Sequence, residues 1–187
     1  MKTALRLIIA AFILAAFNLT AATRYVALDS PNPTPPYTNW ATAARVIQDA
    51  VDAAAPGDEI VVTNGTYAAG GRTVGINLLI NRVAVDKPLT LRSVNGPQFT
   101  SIQGYQVPGT TNVDGAIRCV YLADGASLSG FTLTNGATRT SGDAVGEQNG
   151  GGEPAPLPSH VGIFSLGGSR AGSPVSSCIS CCGRKTI

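Results

Sequence analysis

Charge is scarce in this 187-residue chain, with only 13% of its residues Asp, Glu, Lys or Arg. The 13 Lys and Arg stand against 11 Asp and Glu, and Lys2 and Arg6 at the extreme N-terminus account for the excess. Past residue 22 the charges balance, which leaves no basic stripe for nucleic acid or an anionic membrane surface. Histidine occurs once, as His160, in a stretch without helix or strand pattern, so a Ser-His-Asp triad has a single available base and no scaffold around it. Methionine also occurs once, and Lys and Glu are few. Strong helix formers are thus rare, while Gly, Thr, Val, Ala and Asn are plentiful, a mixture suited to short strands joined by many turns.

The four cysteines form no evenly spaced framework. Cys119 stands alone in a strand-like run, and Cys178, Cys181 and Cys182 crowd the C-terminus, so no pairing is predicted. The latter three lack the second spaced pair that a structural zinc would take, and no metal site is assigned to them. Residues 167–172 (Gly-Gly-Ser-Arg-Ala-Gly) lack the Gly-Lys-Ser/Thr ending and the preceding strand of a phosphate loop.

Long hydrophobic runs are missing too. The apolar stretch at residues 7–17 is too short to span a bilayer. Lys2 and Arg6 precede it, and Thr20 and Ala22 follow as small residues at the −3 and −1 positions of a cleavage site. That order predicts a secretory signal peptide at 1–22, with an uncleaved anchor as the alternative. The expected location is therefore extracellular, cell-surface or periplasmic, with no transmembrane segment left after signal removal.

Beyond the leader the chain falls into zones. Residues 24–28 read as a strand, and residues 29–41, with prolines at 31, 33, 35 and 36, as a loop. Ala43, Val46, Ile47, Ala50, Val51 and Ala54 recur at the helical period and predict one amphipathic helix over about 42–55. Thr42 or Asn39 is positioned to cap its start, and Pro56-Gly57 stops it.

A train of short strands follows over 58–136: residues 60–63, 89–94, 99–103, 117–122 and 126–134, each ended by a turn such as Asn64-Gly65, Asn95-Gly96 or Asn135-Gly136. Ile60, Leu89 and Val120 begin comparable strands about 30 residues apart, and Ile102 and Leu128 lie about 26 apart, spacing that suggests a solenoid. From residue 137 the pattern lapses into a Gly/Ser/Pro/Cys-rich tail, 137–187, with one strand at 161–166 and otherwise little expected order.

Residues 47–67 include Ala55-Pro56-Gly57-Asp58-Glu59-Ile60-Val61-Val62 and close on Gly65-Thr66-Tyr67. This stretch resembles the opening of right-handed parallel β-helix proteins of the pectin-lyase-like superfamily. Residues 88–93 and 128–136 look like coils of bacterial members. The resemblance implies an all-β fold: the N-terminal part of a right-handed parallel β-helix, its open end covered by the helix near 42–55. It covers residues 24–152 and speaks to fold, since the same architecture hosts lyases, hydrolases and adhesins. Members usually continue with more coils after a turn like Gly150-Gly151-Gly152, where this chain turns to Glu153-Pro154-Ala155-Pro156-Leu157-Pro158. A truncation or frameshift is the expectation.

The resemblance also frames the candidate chemistry. Lyases of this fold hold Ca²⁺ with carboxylates beside an Arg or Lys base. Arg92 and Arg118 alternate with apolar neighbours and are expected to face outward, while Asp86, Asp114 and Asp124 fall near strand ends. Tyr37 and Trp40 either stack on sugar or staple the proline loop to the cap. Asn64-Gly65-Thr66 matches a glycosylation sequon and reads more simply as the turn closing the first coil. No catalytic site is identifiable. The expected function is an exported structural, adhesive or glycan-contacting protein that uses outward Thr, Asn and Arg side chains. Arg92, Arg118, Trp40 and Tyr37 are its candidate glycan contacts, and it needs no cofactor. The alternative is an N-terminal fragment of a pectate-lyase-like polysaccharide lyase or glycoside hydrolase, the one case that calls for Ca²⁺.

Overall fold

The computed structural model describes residues 21–110, 112–143 and 147–148, together with the backbone of three short C-terminal strands. The leader expected at 1–22 lies outside the described residues save for its last two. His160, Cys181, Cys182 and the 167–172 stretch also lie outside them.

Among the described residues strands dominate, with one α-helix and one 3-10 turn. Strand β1 (Thr23–Val26) leads through the proline loop to the 3-10 turn (Trp40–Thr42), which Asn39 closes by accepting the Thr42 amide at 3.0 Å. Helix α1 (Ile47–Ala53) follows. Then come β2 (Glu59–Val62), β3 (Gly65–Tyr67), β4 (Ile80–Val85), β5 (Thr90–Ser93), β6 (Thr100–Gln103), β7 (Ile117–Leu122), β8 (Ser127–Ser129) and β9 (Thr132–Thr134). The C-terminal strands are β10 (Phe164–Ser165), β11 (Ser177–Ile179) and β12 (Lys185–Thr186).

These strands make three sheets, ordered β1-β2-β5-β8-β10, β3-β6-β9-β12 and β4-β7-β11. From β2 onward the chain visits the first, second and third sheet in turn, and every pairing among β1 to β9 is parallel. The register stacks like on like. Ile60 faces Leu91 and Leu91 faces Leu128; Tyr67, Ile102 and Leu133 form a second column; Val83 and Val85 meet Val120 and Leu122. All of these side chains are buried in one core, with Val26 and Phe131. Alternation along each strand aims them inward, and stacking removes them from water.

Helix α1 packs against β1, β2 and β4 through Ile47, Ala50 and Val51, all buried. It is shorter than its apolar period predicts. Ala44 is extended and bridges to Val26, so the stripe begins in a strand-like segment that shares the same core. Neither Thr42 nor Asn39 caps α1; its first flanking residue, Val46, makes no side-chain cap bond.

The strand pattern needs three further corrections. β4 has no expectation behind it, because Asn81 and Arg82 interrupt its apolar run, yet both are buried. The single strand expected at 126–134 is two, turned at Gly130, whose φ of +78° suits glycine. The 30-residue spacing of Ile60, Leu89 and Val120 joins residues of different sheets, for the aligned position of Ile60 is Leu91 and that of Val120 is Val83. In the tail, the strand expected at 161–166 corresponds to β10. β11 and β12 add two more, and all three pair antiparallel with β8, β7 and β9.

Candidate functional site

The four expected contact residues do not come together. Arg92 points outward from β5 and binds Glu59 of β2 through two hydrogen bonds, Nε to Oε1 at 2.6 Å and Nη2 to Oε2 at 3.4 Å. That carboxylate holds the guanidinium above its ordinary pKa, the wrong direction for a general base. Arg118 does not face outward. It is 1% exposed, and its Nη1 lies 3.4 Å from Asn81 Oδ1. Alternation fails there because Arg118, Cys119 and Val120 are buried in succession, so the third sheet is covered on both faces.

Tyr37 sits in the core, and its carbonyl accepts the Tyr25 amide at 2.8 Å. Trp40 is 43% exposed and meets Tyr25 edge to face, with centroids 4.4 Å apart. The Tyr37 carbonyl and the Trp40 ring, both against Tyr25, pin the proline loop to β1. Among the acids, Asp86 lies 3.6 Å from Lys87, whereas Asp114 pairs with Arg139 at 2.9 Å; Asp124 sits exposed in the turn before β8. Among the described residues, no group of three His, Cys, Asp or Glu converges to hold a metal. Asn64 accepts the Asn95 side-chain amide at 2.8 Å, which ties the turn of one strand layer to that of the next.

A cleft of about 550 Å³ runs over the outer face of the second sheet. Its floor is Thr66 of β3, Ser101 and Gln103 of β6, and Thr134 of β9. One wall is the segment from Pro97 to Phe99, and none of the described lining residues is titratable. Phe99 is 57% exposed. The wall is held from below. Thr132 Oγ1 donates to the Pro97 carbonyl at 2.6 Å, and Ser93 Oγ accepts the Gly96 amide at 3.0 Å while lying 2.8 Å from Thr100 Oγ1. Ser101 donates to Thr66 across the strands at 3.1 Å. Among the described residues the side-chain amides of Gln98, Gln103 and Asn135 make no hydrogen bond, which leaves donors and acceptors for a ligand.

Thr66, Ser101 and Thr134 stand on strands stacked in the second sheet and line this cleft together. Gln103 and Phe99 carried no such signal, because only the wall-and-floor arrangement brings them to one cleft. Against known proteins, no family model, curated protein or solved structure matches this chain.

Proposed function

We propose that this chain is an exported or cell-surface protein built as the start of a right-handed parallel β-helix of the pectin-lyase type. In this reading it contacts a polysaccharide or cell-envelope glycan on the outer face of its second sheet and has no catalytic centre of its own. The solenoid reading draws on strands that revisit three parallel sheets in a fixed order. The hand follows from the preference of parallel crossovers, right-handed in about 98% of cases. The cleft between Phe99 and the Thr66–Ser101–Thr134 face is the observation that carries the glycan reading: hydroxyls, amides and an exposed ring are the groups that sugars engage.

The alternative, a fragment of a polysaccharide lyase or glycoside hydrolase, draws on Arg92 beside Glu59. A single acid that raises the pKa of its arginine supports this less well than the cleft supports binding.

Affinity electrophoresis of the full chain through gels cast with soluble polysaccharides tests the reading. Retardation by at least one polymer is expected, without release of product. Equal mobility in every gel would overturn glycan contact, and ultraviolet-absorbing unsaturated product would favour the lyase.

A further inference from the structure

We infer, resting on the glycan reading, that the ligand is an uncharged polysaccharide laid across β3, β6 and β9, and not a polyuronate. A polyuronate brings a carboxylate on each sugar. Such a charge, taken from water, needs a cationic side chain or a bridging metal ion beside it. Among the described residues, the cleft lining has neither Arg nor Lys to meet a carboxylate, and neither Asp nor Glu to hold a bridging cation. Among the described side chains, Arg92 is engaged with Glu59 over the first sheet, and Arg82 with the backbone carbonyls of Gln103 and Gly70.

What the cleft does offer matches neutral sugar. Hydroxyl and amide groups both donate and accept, as sugar hydroxyls do. Gln103, half-buried in the floor, presents an amide with no partner among the described residues. Phe99 supplies an apolar ring against which the C–H face of a pyranose can lie. Strands in one sheet lie about 4.8 Å apart, so β3, β6 and β9 give a floor about 10 Å across, room for a short run of sugar rings. The bonds from Thr132 and Ser93 fix the Phe99 wall before ligand arrives, so little ordering remains to oppose binding.

Isothermal titration calorimetry of the full chain separates the classes. The probes are xyloglucan and mixed-linkage glucan as uncharged polymers, and polygalacturonate with and without Ca²⁺. Binding to at least one uncharged polymer is expected, unchanged by added NaCl, with polygalacturonate at least tenfold weaker. Phe99→Ala and Gln103→Leu should each weaken binding about tenfold, one good contact's worth, with far-UV circular dichroism unaltered because both side chains face solvent or the cleft. Gln103→Arg should raise affinity for polygalacturonate. Tighter binding of polygalacturonate by the unaltered chain overturns this inference and leaves glycan contact standing. Binding to no polymer overturns both.

Discussion

The Asp58 carboxylate accepts hydrogen bonds from the Ala22 and Ala55 amides, at 2.8 and 2.9 Å, and from the Arg24 guanidinium at 3.0 Å. Burial pushes its pKa up, but the two amides and Arg24 outweigh burial and hold it below the usual carboxylate range. The stability it contributes is therefore present above the unfolded value of about 3.9 and is lost as pH falls through the lower folded value. Asp58→Asn in the full chain should cost about 2 kcal/mol at neutral pH, since it weakens the bonds from Ala22, Ala55 and both Arg24 nitrogens to a nearly buried group. Urea unfolding at pH 7 and pH 3 checks this. The gap between parent and variant should shrink at the lower pH, and an equal gap at both would refute the role. The turn itself is legible in Pro56-Gly57-Asp58, where Gly57 takes φ of +91°. Arg24 as the partner is not, since it lies 34 residues away along the chain.

Among elements, helix α1 owes its place to a residue that its apolar stripe leaves out. Gln48 is buried; its Oε1 accepts the Ala84 amide at 2.7 Å, and its Nε2 donates to the Ala84 carbonyl at 3.3 Å and to Asp52 at 2.8 Å. β4 is the outermost strand of its sheet on this side, so the glutamine amide stands in for a missing strand. Lys87 secures the other end of the helix by donating to the Val51 and Ala54 carbonyls at 3.1 and 3.2 Å. Gln48→Leu leaves the Ala84 amide and carbonyl buried without partners and should cost about 2–3 kcal/mol in chemical denaturation. Asp49→Ala, on the exposed side of the same turn, should change stability by under about 0.5 kcal/mol. Similar losses in both would show that the helix is held by its stripe alone. Helical period is visible in sequence because it reports burial of apolar groups; a buried amide that pairs with a strand edge has no such period.

For the whole molecule, the open edges decide solubility. β8, β9 and β7 end the parallel stacks, and β10, β12 and β11 lie antiparallel on them, one strand for each sheet. A chain ended at residue 152 loses those three strands and presents unpaired amides and carbonyls, a template for pairing with another copy. Sedimentation velocity should show the shortened chain self-associating with rising concentration, while the full chain does not. A shortened chain that stays monomeric would mean that the tail is dispensable to the edges. Low order expected across 137–187 reflects composition, and composition carries no information about which sheet edge a short Ser- or Lys-containing strand can reach.

Local rules were enough for much of this protein. The strand-rich class, the turn glycines, the Pro-Gly-Asp stop, the alternating residues of β5 and β6 and the short apolar runs of β2 and β7 follow from patterns and φ preferences that act within a few residues. Tertiary structure alone decided the register that sets Ile60 over Leu91 and Leu128, the burial of Arg118 and of the Asn81-Arg82 pair, and the cleft between Phe99 and Gln103. Each of these joins different strands or loops of the chain. Such contacts arise from stacking strand on strand, and a linear pattern does not record which turn of chain comes to rest on which.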